Sequence, residues 1–156
     1  MGRNFKNYGE FDRFLQKNLL ETGRLKIAID EGLLAAASYV QEAAKEKFGF
    51  YQKGWEELAP ATKQDRARHG YPENEPLLRD GTLRDSVGIR MRPLGASIGS
   101  DDPVMIYQEK GTTRTGWKGA KGIPPRPVFL TTWHENGAEA VAVFKKVFIK
   151  KLKEAL

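Results

Sequence analysis

Apolar positions recur at steps of three and four near both ends of the chain and alternate in its middle. Phe11, Phe14 and Leu15 stand at helical spacing, which predicts a short helix over 11–20, and Gly23 separates it from the next element. Between 25 and 48, Ile29, Leu33, Ala36, Ala37, Val40, Ala44 and Phe48 form one stripe, while Glu42, Lys45 and Glu46 fall mostly off it. That pattern predicts a long amphipathic helix ended by Gly49. The run Ala35-Ala36-Ala37-Ser38 leaves little bulk around one turn, so another element or another subunit can approach closely. At the other end Phe144, Phe148, Leu152 and Leu156 recur every fourth residue, with Lys146, Lys150 and Lys153 pointing away. This predicts a second amphipathic helix whose lysines suit the helix dipole.

The middle has a period of two. Residues 54–71 are expected as a loop with a short helix, for which Thr62 is the N-cap. Asp80-Gly81 marks a turn, and Thr82 with Asp85 resembles a capping box that starts one helical turn. Val87, Ile89 and Met91 then alternate with Gly88, Arg90 and Arg92, Pro93-Leu94-Gly95 turns the chain, and Ala96 and Ile98 lead back. A β-hairpin with one buried face is the expectation. Residues 104–108 read as a third strand, and 128–132 as a fourth strand or the start of a helix. The class is α+β: a long N-terminal helix, a small antiparallel sheet with a long mobile loop, and a C-terminal amphipathic helix, all in one domain over 1–156. With both helix faces packed into the core, no long apolar face is expected to remain, which predicts a monomer or weak oligomer in isolation.

Composition narrows the function. Apolar residues make up 40% and charged residues 29%, the balance of an ordinary globular chain, and no apolar run is long enough to span a bilayer. The start, Met1-Gly2-Arg3-Asn4-Phe5, lacks the pattern of a secretory signal, so synthesis in the cytosol is expected. Without a single cysteine, disulfides, thiolate metal sites and cysteine nucleophiles are excluded. The two histidines, His69 and His134, lie in different segments without ligand spacing, and Asp80, Asp85, Asp101, Asp102 and Glu109 read as turn, cap or solvated residues rather than a cation site. No phosphate-binding glycine motif is present. No nucleophile, base and orienting group can be assembled, so neither an enzyme nor a cofactor is expected.

Residues 110–126 stand apart. They hold Gly111, Gly116, Gly119 and Gly122, the basic residues Lys110, Arg114, Lys118, Lys121 and Arg126, the aromatic Trp117, and no acid. Long loops of this kind are commonly functional. Ordering against a partner subunit is the preferred reading, a solvated arm the second, and nucleic-acid binding, suggested by the net charge of +6, the third.

Four stretches in order resemble the virion morphogenesis, tail-completion or head-tail joining family of tailed bacteriophages. They are Trp55-Glu56-Glu57-Leu58-Ala59-Pro60-Ala61-Thr62, then Pro76-Leu77-Leu78-Arg79-Asp80-Gly81-Thr82-Leu83-Arg84-Asp85-Ser86-Val87. Ile98-Gly99-Ser100-Asp101 with Ile106-Tyr107-Gln108-Glu109-Lys110-Gly111 comes third, and Ile123-Pro124-Pro125-Arg126-Pro127-Val128-Phe129-Leu130 closes the set. The motifs span about 55–130; Gln108-Glu109 stand where relatives show alanine and histidine, and Val128 is inserted before the phenylalanine. The resemblance implies a structural ring, sixfold, of the virion neck, joining the tail tube or a terminator protein to the head connector, with DNA passing through or near it. A tail terminator that caps the tube is the rival within virion proteins, and a small basic DNA-binding or packaging protein the rival from another class.

On this reading Lys110, Arg114, Trp117, Lys118, Lys121, Pro124, Pro125 and Arg126 form the assembly interface. Pro124, Pro125 and Pro127 fix an extended backbone, which is expected to hold Arg126 out toward a neighbouring subunit. The alternative is that Arg126 packs its stem against Trp117 or Phe129 within one subunit.

Overall fold

The computed structural model describes residues 5–20, 22–113 and 122–155. Helix α1 (Tyr8–Leu15) starts at Asn7, whose side chain accepts the Glu10 N–H at 2.9 Å, and runs into a π-helical segment over Gln16–Leu20. Gly23, at φ 67°, breaks the chain before α2 (Arg24–Lys45). The expected long helix is there, and so is the alternation in the middle of the chain: β1 (Val87–Arg92) pairs antiparallel with β2 (Gly95–Ser100), Ile89 opposite Ile98 and Met91 opposite Ala96. The hairpin packs on α2, where the Gln41 side-chain amide donates to the Val87 carbonyl at 2.7 Å. Its turn places Leu94 at φ 56°, a left-handed conformation that a leucine adopts only at a cost.

The longest element is α6 (Phe129–Ala155), which packs along α2. The small-residue signal in α2 finds its partner here. A Cβ on Gly32 would lie 2.9 Å from the Phe144 ring, so only glycine admits α6 at this separation. Ala28, Ala37 and Ala44 of α2 and Ala140 of α6 are likewise buried. The core then extends past the end of α2, joining Ala44 and Phe48 to Trp55, Leu77, Val87, Met105 and Val128.

Three local expectations are corrected. Residues 104–108 are not a strand but part of α5 (Pro103–Lys110): Asp102 accepts the Val104 N–H at 2.8 Å and Pro103 opens the first turn, a start signal that outweighs the β-branched run behind it. The helix in the 54–71 region, α3 (Pro60–Arg68), begins before Thr62, with Ala59 at the N-cap and Pro60 at its first position. At α4 (Thr82–Asp85) no capping box forms. Asp80 takes that role, its Oδ1 accepting both the Thr82 N–H at 3.0 Å and the Thr82 hydroxyl at 2.7 Å. Residues 128–132 resolve as the start of α6. The class α+β stands, mostly helical, with a two-stranded sheet. Among the described residues no helix is long and apolar enough to cross a membrane.

Candidate functional site

Of the residues expected at an interface, Lys110 closes α5, while Pro124, Pro125 and Arg126 lie in the extended stretch 122–127. Arg114, Trp117, Lys118 and Lys121 lie outside the described residues. The two ends of the loop are clasped. Thr112 N–H donates to the Ile123 carbonyl at 2.9 Å, and Ile123 N–H to the Thr112 hydroxyl at 3.0 Å. Gly111 permits this closure, since a Cβ there would sit 2.8 Å from the Ile123 carbonyl oxygen and 2.9 Å from the Pro125 nitrogen.

The expectation of a projecting Arg126 is overturned. Its side chain turns inward and is only 4% exposed. Its Nη2 donates to the Glu56 carbonyl at 2.9 Å, its backbone N–H to the Gln108 carbonyl at 2.6 Å, and Nη1 makes a long contact of 3.5 Å with Gln108 Oε1. The prolines do stiffen the chain, but they aim the guanidinium at the loop before α3 and at α5 instead of at solvent.

A second arginine, which the motifs do not single out, meets it there. Arg66 of α3 is 7% exposed, and its Nη1 donates to the carbonyls of Pro72, Glu75 and Leu78 at 3.2, 2.5 and 3.2 Å. It gathers the loop after α3 around one cation. Burial holds the pKa of both guanidiniums below the ordinary arginine value, and for Arg66 the neighbouring charges of Arg79 and Arg126 push the same way. Both line one cleft of about 960 Å³ between α3, the 77–83 segment, α5 and 122–126. Among the described residues neither forms an ion pair; Glu75 and Glu56 touch them through backbone carbonyls, and their carboxylates act only from beyond contact. Arg126 Nε is buried with no hydrogen-bond partner.

The opposite character marks a trough of about 310 Å³ where α2, β2 and α6 meet. Leu33, Trp133, Val141 and Phe144 wall it, over Ala36 and Ala140. Trp133 is 55% exposed, and Leu34, Leu130 and Ile149 add further open apolar surface on the same two helices. At the hairpin tip Leu94 is 78% exposed. The expectation was that no long uninterrupted apolar face is left over; what the fold leaves is this local trough and single exposed apolar side chains beside it. The physical reason is that α6 carries large apolar residues that its packing leaves about half exposed, among them Leu130, Trp133, Val141 and Ile149.

Some of this was beyond local pattern. Glu109 accepts the N–H groups of Val128, Phe129 and Leu130 at 2.6, 3.2 and 3.1 Å, capping α6 from another helix. Only its place just before Lys110-Gly111 was visible in the sequence. Comparison with protein-family models, with curated proteins and with solved structures finds no match to this chain.

Proposed function

We propose that the chain is a non-enzymatic structural subunit of a tailed-phage neck or tail-completion ring, acting by assembly between the tail tube and the head connector. The observation that carries this reading is the pairing of an open apolar trough with an exposed apolar knob on the same chain. A ring needs a head-to-tail contact made from two different patches, one on each side of the subunit. The trough over Ala36 and Ala140 supplies the hollow, and the strained, solvent-facing Leu94 supplies the projection. Patches of this kind on a globular domain mark interaction surfaces. The four motif stretches supply the phage assignment, and the sixfold number comes from that resemblance alone.

Deleting the gene from its phage tests the proposal. Filled heads and finished but unjoined tails are the expected products, rescued by the wild-type chain in trans. Tails of uncontrolled length would assign it to the terminator role instead, and normal infectious particles would refute a structural role. The DNA-binding reading predicts affinity that falls steeply with salt, and retention of the chain on DNA at physiological salt would favour it over ring assembly.

A further inference from the structure

We infer that the cleft holding Arg66 and Arg126 is a binding site for one carboxylate, supplied by an acidic side chain of a neighbouring protein in the assembly. The inference rests on the assembly role proposed above, and adds to it a second, polar contact distinct from the apolar trough.

Two guanidiniums, 7% and 4% exposed, line one cleft and repel each other, and no described carboxylate contacts either of them. The stretch 114–121 carries no acid, so it holds no counter-charge for them. A buried guanidinium with no carboxylate in contact is costly, since backbone carbonyls and the more distant charges of Glu56 and Glu75 offset only part of that cost. Arg66 commits Nη1 to three carbonyls, and Arg126 commits Nη2 to one. The donors that remain include Arg126 Nε, which is buried and unpaired, and Nη1, whose contact to Gln108 is long. A planar fork with free donors is the geometry that takes a carboxylate.

The surroundings select the ligand. Glu56, Glu57, Asp65, Asp80 and Asp102 also line the cleft, a ring of negative charge that opposes a polyphosphate or a nucleic-acid backbone. A single monoanionic group is repelled far less on passing them. The space, about 960 Å³, is many times what a lone carboxylate fills and suits a short inserted segment that presents one Asp or Glu.

The test uses the full chain with its arginine Nε–H groups observed by ¹⁵N–¹H NMR, titrated at constant ionic strength against sodium chloride. Acetate, the capped tripeptide Gly-Glu-Gly and inorganic phosphate are the probes. The expected result is a saturable shift of the Arg126 and Arg66 signals with acetate, at lower concentration with the tripeptide, and at higher concentration with phosphate. Arg126→Gln should weaken acetate binding, read on the Arg66 signal, about tenfold or more. Should that variant fail to fold, the wild-type titration decides alone. Shifts no larger than those of chloride, or phosphate saturating first, or acetate binding more tightly than the tripeptide, would each overturn the inference. A failed titration of a chain still found in joined particles would remove the cleft and leave the assembly role standing, while a saturable titration of a chain absent from particles would do the reverse.

Discussion

Replacing Glu109 by alanine removes a carboxylate that closes the N-terminus of α6. Its two oxygens accept three backbone N–H groups, those of Val128, Phe129 and Leu130, at 2.6, 3.2 and 3.1 Å. Val128 is fully buried, so its N–H cannot turn to water when the acceptor is gone, and an unsatisfied buried donor costs about 1–3 kcal/mol. Phe129 and Leu130 are less enclosed, and losing an N-cap acceptor with its favourable charge at the helix dipole adds roughly 1 kcal/mol. The sum, about 2–4 kcal/mol, corresponds to a fall of roughly 4–16 °C in Tm for a chain of this size. Urea unfolding followed by circular dichroism measures it. Glu109→Gln keeps an acceptor oxygen without the charge and should lose less than half as much. If Glu109→Ala stays within about 0.5 kcal/mol of wild type, the cross-helix cap does not hold α6 and the reasoning fails.

Three other outcomes are expected from contacts of the same kind. Gly32→Val should cost about 1–3 kcal/mol in urea unfolding, because its Cβ would lie 2.9 Å from the Phe144 ring and 3.3 Å from the Phe144 carbonyl oxygen, and a stability equal to wild type would show that α6 can back away freely. Leu94→Asp should leave stability within about 0.5 kcal/mol yet lower the yield of joined particles when it replaces the wild-type chain, since the side chain is exposed at a turn; an unchanged yield would remove Leu94 from the contact. The Asp80 carboxyl is held below its ordinary pKa, first by the Thr82 hydroxyl and then by the Thr82 N–H. A lowered folded-state pKa means its stabilisation is complete above the unfolded carboxylate value and is lost as pH falls through the folded one. Asp80→Asn should therefore flatten the acid side of the stability curve and leave the slope near neutral pH alone, and an unaltered acid limb would contradict the assignment.

The long helix and the hairpin were legible because each carries its own period: one stripe from Ile29 to Ala44, and strict alternation from Val87 to Met91. Where a segment sends two signals, the longer one misleads. Val104, Ile106 and Tyr107 favour a strand, but Asp102-Pro103 set the backbone for a helix, and only Met105 of the run is buried in the core. The contacts that shape the cleft have no local signature at all. Arg66 reads as one more exposed helix cation until the carbonyls of Pro72, Glu75 and Leu78 fold back over it. The flanking prolines mark Arg126 as special, yet which way a stiff segment points depends on Glu56, seventy residues away. Small residues in α2 signal a close approach, and cannot say that the same chain's α6 fills part of the seam and leaves a trough beside it.

Assembly into a virion ring can be seen by locating the chain in intact phage with a small epitope tag at its N-terminus and electron cryomicroscopy of the particles. The expected result is a closed ring of tagged density at the junction of head and tail, in which the hairpin tip of each subunit meets the α2–α6 trough of the next. Particles that carry no tagged density at the neck or on the tail would contradict it.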